Sequence, residues 1–357
     1  MACCPNTAAD PSFSGGPAVE HPTMQDDPSP AAVMDGLLGY VKTAALTAAI
    51  RLDVFTAIGD GVDAATLAQR TGAAERGIRA LCDYLAAEGL LSKRDGVYRL
   101  GRTAARFLDR RSSAAMGAVE GFLASREMID LILGAPTDCV KQGGASGLAN
   151  VAADHPIWIK FARAMTPFAA PIAAATVAWL AENELPPRRV LDMAAGHGLY
   201  GISVARRFPG AEVVALDWGG VLEVARENAA AAGVAERFRW IAGDAFEVPL
   251  EGPYDVVLMP NFLHHFDEAG CVRLLRRARA ALTPGGTVLA PEFVTDEDRT
   301  SPPMAAKFSF LMLATTPAGT AYTAAELRRM FIAAGFPAVH LAPLPRTPQT
   351  LVVGGSV

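Results

Sequence analysis

The residues of this chain best suited to moving a proton are His264 and His265, in Leu263-His264-His265, and Glu292. An imidazole exchanges protons near neutral pH, and a carboxylate on one of its nitrogens orients the ring and stabilises its charged form. The histidine pair follows the apolar run Val256–Met259, and Glu292 ends the run Thr287–Glu292. Both runs read as buried strands, and in an open α/β sheet the residues just beyond strand ends line the ligand crevice. An imidazole placed there can take the proton of an acceptor that is a poor nucleophile until it loses it, a contribution of ~10²–10⁴-fold.

A second set of residues suits a nucleotide. Val190–Met193 is a buried strand that runs into Ala194-Ala195-Gly196-His197-Gly198 and then into a helix. Small residues such as Ala194, Gly196 and Gly198 let backbone amides approach a ligand, and a helix N-terminus offers unpaired N–H groups. Strand Val213–Leu216 ends in Asp217, at the interval where a carboxylate accepts from the vicinal hydroxyls of a ribose. Trp218 follows and can cover an adenine face. Past strand Phe238–Ile241 comes Gly243-Asp244-Ala245-Phe246, with Asp244 placed to accept from an adenine amino group and Phe246 to stack. Asn261, directly after the fourth strand, falls at the same crevice.

A third set is greasy: Phe161, Met165 and Phe168 recur at helical spacing, and Met304, Phe308, Phe310 and Met312 form a second group. Methionine adapts its shape to flat ligands and its sulfur contacts rings favourably. Such residues are equally the material of a plain core.

The elements that must position these groups divide the chain. Residues 1–30 are rich in Pro, Ser, Gly, Ala and Asp and are expected to be disordered. A helical run from Val33 to Ala49 follows. Asp63 caps a helix through Leu67, Thr71-Gly72 turns, and a second helix runs from about Ala74 to Gly89. Two short strands, Leu90–Arg94 and Val97–Leu100, meet at Asp95-Gly96, a strong hairpin signal. Helix, turn, helix and hairpin make a winged helix over 31–110. Residues 111–185 read as helices that contribute to the pocket, with a loop at Gly143–Gly147 and with Pro167 and Pro171 bending the path. From Pro186-Pro187 to residue 357, strands and helices alternate, which argues a doubly wound, Rossmann-like parallel sheet, with Leu351–Val353 closing its edge.

These motifs in order resemble the class I S-adenosylmethionine-dependent methyltransferases: Asp192–Gly198, Asp217, Gly243–Phe246 and Leu282-Thr283-Pro284-Gly285-Gly286. With the winged helix ahead of them, the chain from about residue 31 resembles the O-methyltransferase group of plant phenolic and bacterial polyketide enzymes. Phe331–Phe336 is similar to its C-terminal region. The resemblance implies S-adenosyl-L-methionine as methyl donor, no metal, a homodimer formed through the front domain, and an aromatic or polyketide-like acceptor methylated on oxygen. It also implies that His264 is the general base and that Glu292 is the first of two glutamates flanking it. Two departures stand out. Ala194-Ala195 replaces the usual Gly-Gly, which is tolerated while φ stays negative there. Ala321 fills the place of the second glutamate.

Composition trims the alternatives. A net charge of −5 supplies no basic face for nucleic acid. A reading of the winged helix as a DNA reader rests on Arg76, Arg79, Lys93 and Arg94 among Glu75, Asp83 and Glu88, a thin set for groove contacts. C- or N-methylation, or a non-methylating activity on the same fold, remains the nearer alternative, because fold does not fix reaction. The five cysteines show no pairing or metal-ligand spacing, no secretory signal or run of ~20 apolar residues is expected, and the chain reads as cytoplasmic.

Overall fold

The computed structural model describes residues 29–145 and 156–355. The tail expected over 1–30 lies outside them except for its last two residues, as do Cys3, Cys4 and the end of the Gly143–Gly147 loop. The expected helical run from Val33 is interrupted: helix Ala31–Leu37 ends at Leu38 and helix Gly39–Arg51 begins anew. Gly36 and Gly39 flank the break, and each weakens a helix relative to alanine.

The winged helix forms as its caps dictate. Asp63 accepts from the Thr66 amide at 2.8 Å to start helix Ala64–Thr71, and Gly72 ends it in the left-handed conformation. Helix Glu75–Ala87 follows. Strands β1 (Val62–Asp63), β2 (Leu91–Arg94) and β3 (Val97–Leu100) make a small sheet in the order β1-β3-β2. Asp95 and Gly96 turn the hairpin with φ of 49° and 77°, the signature of a two-residue type I′ loop. Leu67, Ile78, Leu85 and Tyr98 fill the core. Two of the basic groups counted toward DNA are engaged within the domain, Lys93 with Asp83 at 2.6 Å and Arg79 with Glu75.

The large sheet holds seven strands: β4 (Arg189–Met193), β5 (Glu212–Asp217), β6 (Phe238–Ala242), β7 (Tyr254–Leu258), β8 (Leu282–Glu292), β9 (Val339–Pro343) and β10 (Thr350–Gly354). Their order is β6-β5-β4-β7-β8-β10-β9. The first five run parallel, and β10 is antiparallel to both β8 and β9. Two sequence expectations are corrected here. Leu351–Val353 does not close the edge; it is an inner strand, buried on both faces, and β9 is the edge. The strand expected over Thr287–Glu292 starts five residues earlier: the glycine-rich 282–286 stretch opens β8, because helix Glu268–Ala280 has already stopped.

Pro167 and Pro171 sit inside one continuous helix, Pro156–Glu182. The hydrogen bonds they forgo are offset by packing: Ala169, Ile172, Ala173, Val177 and Leu180 share a core with Val190, Val213 and Leu258 of the sheet. This helix of 27 residues is also long and apolar enough to cross a membrane, contrary to the sequence reading. Its apolar side belongs to the core of the α/β layer.

Candidate active site

The carboxyl ends of β4, β5, β7 and β8 meet where the chain switches from one side of β4 to the other, the place this topology reserves for ligands. At the end of β4, Ala194 has φ +56°, so the condition of negative φ is not met. For an alanine that costs about 1–2 kcal/mol. Three hydrogen bonds over-determine the turn: Ala195 N to Leu216 O at 3.0 Å, Gly198 N to Ala195 O at 2.7 Å, and Gly196 N to Asp217 Oδ2 at 2.8 Å. Gly196 and Gly198 are also left-handed. The space where a Gly196 Cβ would lie holds nothing nearer than 3.9 Å, whereas one on Gly198 would strike Ala225 at 2.9 Å. The first glycine leaves an open cradle, and the second lets helix Leu199–Arg207 approach helix Gly219–Ala231.

Asp217 ends β5. One of its oxygens accepts from Gly196 N and the other from Trp218 N at 2.7 Å. Each oxygen keeps a second lone pair for a hydroxyl. Burial pushes its carboxyl up to about 6, so it remains ionised at neutral pH. Behind it Asp192 is fully buried and accepts from Gly201 N at 2.9 Å; burial lifts this carboxyl to about 7. His197, in the turn, is held down at about 4 by burial, and its Nδ1 accepts from Leu199 N at 3.2 Å. Asp244 uses one oxygen to accept from Phe246 N at 2.8 Å, the local cap that a solitary aspartate makes. Ala245 is core, and the Phe246 ring touches the Arg273 guanidinium and the Phe266 edge. Trp218, like Trp158 and Ile159, packs against the buried cluster of Ala162, Val221 and Val224. An acidic strand end, an open left-handed glycine and a helix N-terminus together fit an adenosyl group with a charged tail.

Beyond the end of β7 and at the end of β8, His264 and Glu292 meet. His264 Nδ1 lies 2.6 Å from Glu292 Oε2, and both side chains are buried. Glu292 Oε1 accepts from Phe262 N at 3.0 Å and Leu263 N at 2.9 Å, so one carboxylate holds the turn and its imidazole together. A carboxylate can only accept, which places the imidazole proton on Nδ1 and leaves Nε2 as the basic nitrogen. His265 lies against His264 with centroids 4.5 Å apart, and burial and its neighbour's charge press its pKa well below the ordinary range. The turn is held from behind: Tyr322 hydroxyl donates to Phe266 O at 2.5 Å, and Cys271 Sγ to Leu263 O at 3.1 Å. Gly319 passes so near that a Cβ would lie 2.2 Å from His264 O.

Of the greasy residues, Phe308 sets its ring across His264 at 4.7 Å. Phe293 stacks on Phe308 at 4.2 Å, and Phe168 lies nearly parallel to Phe293 at 6.4 Å. Ala305 and the fully buried Ala321 complete this cluster, so the place of a second glutamate is apolar. Phe161 and Met165 lie in a neighbouring cluster with Phe122 and Leu311, and Met312 is buried in its helix. Phe310 and Met304 are about half exposed and do not join the wall. Phe310 is two residues from Phe308, which on a helix is the opposite side. Asn261 has φ +53°, and its amide is engaged at both ends, with Tyr200 and Gln349.

Sequence reasoning missed Phe293, Gly319, Tyr200 and Gln349. Phe293 had a usable signal, since it directly follows Glu292. The others had none, because they meet the site only through contacts far apart in the chain.

Comparison with known proteins agrees with this geometry. Residues 141–337 match the model of the O-methyltransferase domain, and 34–110 match the O-methyltransferase dimerisation domain. Acetylserotonin O-methyltransferase of Mus musculus molossinus is 33% identical over 338 residues, covering 89% of this chain and 86% of that protein. The 3-hydroxy-5-methyl-1-naphthoate 3-O-methyltransferase of Streptomyces sahachiroi is 32% identical, covering 83% and 86%. A Nostoc punctiforme crystal structure, solved as a candidate O-methyltransferase, is 44% identical, with a TM-score of 0.88 over 92% of this chain and all of that one. The chain therefore belongs to the S-adenosylmethionine-dependent O-methyltransferase family and carries its dimerisation domain.

Proposed function

We propose that this O-methyltransferase acts on the hydroxyl of a flat, uncharged aromatic small molecule, with His264 as general base and Glu292 as its orienting partner. The observation that carries the reading is the 2.6 Å contact of His264 Nδ1 with a buried carboxylate that also anchors the turn. When bound, S-adenosylmethionine supplies an electrophilic methyl group. Asp217 would hold its ribose hydroxyls, Asp244 and Phe246 its adenine, and the turn at Ala194, Gly196 and Gly198 its charged tail. Trp218 and Ala245 would border it, and Asn261 would shape the floor. His264 Nε2 takes the acceptor proton; Glu292 steadies the positive charge that results. Phenols have pKa near 10, so the proton must be removed as the bond forms.

The acceptor class follows from the wall. Phe308 stands across His264, Phe293 stacks on Phe308 and Phe168 lies beyond Phe293, so an aromatic stack flanks the imidazole, and Ala321 offers no second carboxylate. An unpaired charge would be costly there, whereas a fused ring would be welcome. Phe161, Met165 and Met312 would bound the far side. The naphthoate named for the Streptomyces relative shares the fused ring, with a carboxylate added to it. A homodimer through the domain matched at 34–110 and a cytoplasmic setting complete the reading; unpaired Cys82, Cys139 and Cys271 among the described residues support the latter.

The test is the purified protein with labelled donor and a panel of phenols, naphthols and amines, with NMR locating the new methyl group. Transfer to a naphthol oxygen, lost on His264→Ala with cofactor affinity kept, is expected. A His264→Ala variant that transfers at the parent rate would remove the base assignment.

A further inference from the structure

The turn that carries His264 begins at Asn261, a residue in the left-handed conformation that only glycine adopts freely. Its backbone N donates to Pro291 O at 2.9 Å, tying it to β8 next to Glu292. Its side chain is a cross-piece. Nδ2 donates to the Tyr200 hydroxyl at 3.3 Å, on the helix that follows the cofactor turn, and Oδ1 accepts from Gln349 Nε2, just before β10. Gln349 is buried and its backbone is fixed: Leu344 N donates to its carbonyl at 3.2 Å, and its own N donates to Thr347 Oγ1 at 3.3 Å. The next residue, Thr350, pairs directly with Glu292 across the sheet. One line of contacts thus runs from β10 through Asn261 to the cofactor helix, beneath the turn.

Gln349 Oε1 is buried and has no hydrogen-bond partner among the described residues. An unmet acceptor in such a place is a cost to folding, so an apolar side chain of equal length would suit stability at least as well. The Nε2 bond to Asn261 is what a glutamine adds.

Resting on the reading of His264 as base, we propose that Gln349 is a positioning residue for methyl transfer. Through its amide it holds Asn261 in the left-handed conformation and so sets where His264 stands relative to Glu292 and the cofactor turn. It touches no reacting atom.

The test is a double-mutant cycle on the full-length enzyme. Gln349→Met removes the bond and keeps the volume; Asn261→Gly keeps the backbone conformation and removes the cross-piece. Small misplacements of a reacting group cost up to about 10²-fold, so each variant is expected to lower kcat about ten- to a hundredfold. The double variant should lose no more than the worse single one, because one brace is being cut twice. Affinity for S-adenosylhomocysteine by calorimetry should stay within about threefold for Gln349→Met, with its melting temperature close to the parent's, because the relieved Gln349 Oε1 offsets the Asn261 Oδ1 left without its donor. Parent-like kcat in Gln349→Met overturns the proposal, and so does a double variant whose loss is the product of the singles. A kcat loss matched by the fraction of unfolded protein overturns it as well, by reducing the residue to a structural one. Should His264→Ala keep the parent rate, the base assignment fails first and takes this inference with it; a fully active Gln349→Met beside an inactive His264→Ala sinks the brace alone.

Discussion

Glu292→Gln is the sharpest perturbation of the site, because it changes one proton and almost no volume. In the native protein Oε1 accepts from the Phe262 and Leu263 amides and Oε2 faces His264 Nδ1 at 2.6 Å. The amide of the variant has one acceptor and one donor end. Its oxygen must stay on the two backbone N–H groups, since turning the NH₂ toward them would set donor against donor. The NH₂ then faces Nδ1, which has to become an acceptor, and the imidazole proton moves to Nε2. The ring is left in the tautomer that cannot take a proton from the acceptor. Loss of base catalysis lowers kcat by ~10²–10⁴-fold, about 3–5 kcal/mol at the barrier. Stability should fall by only about 1 kcal/mol, as one charge-assisted bond becomes a neutral one. Glu292→Ala, in contrast, strands two buried N–H groups and should cost about 2–6 kcal/mol. Initial rates with labelled donor and a naphthol, beside melting curves and S-adenosylhomocysteine calorimetry, measure all three quantities. A Glu292→Gln enzyme within threefold of the parent kcat would refute the tautomer reasoning.

Asp217→Asn should weaken S-adenosylhomocysteine about ten- to a hundredfold at pH 7.5, from the loss of charge-assisted bonds to the ribose. Because burial raises this carboxyl to about 6, the parent's affinity should also weaken as pH falls through 6, and the variant's should not; parallel pH curves would contradict the assignment. His197 is held neutral down to about 4 against an ordinary 6.5, so the unfolded chain takes up a proton that the native one does not. Its contribution to stability is complete above pH 6.5 and is lost as pH falls toward 4, by up to about 3 kcal/mol. His197→Asn should accordingly lose less melting temperature between pH 7 and pH 5 than the parent, and an equal loss would show that His197 is not the group responsible. Gly319→Ala forces a Cβ to 2.2 Å from His264 O and should cost about 1–3 kcal/mol together with much of kcat; a fully active variant of native stability would mean that this backbone yields freely. Phe293→Leu should raise KM for a naphthol several-fold and leave cofactor affinity alone, and an unchanged KM would take Phe293 out of the acceptor wall.

The features legible in the residues were those that local chemistry writes locally. Asp63, Gly72 and Asp95-Gly96 marked caps and turns, and the structure forms each of them. The strand, small-residue turn and Asp217 pointed to a nucleotide crevice, and the structure brings the turn and Asp217 together, because a βαβ unit places its ligand groups at nearly fixed intervals. Where patterns were short or one-sided they misled: β9 escaped notice because four of its five residues are exposed or half-buried, and its neighbour β10 was read as the edge.

Sequence alone determined the alternating elements, the acidic strand end and the imidazole and carboxylate that we propose as the reacting pair, since these depend on residue type and near-neighbour spacing. Tertiary structure alone decided that Glu292 faces His264 across 28 residues of chain, that Phe308, backed by Phe293, stands across it, and that Gln349 donates to Asn261 from 88 residues away. It also placed Ala194 at positive φ, against its own preference. Contacts of that span are set by sheet register and helix packing, which no local period in the sequence reports.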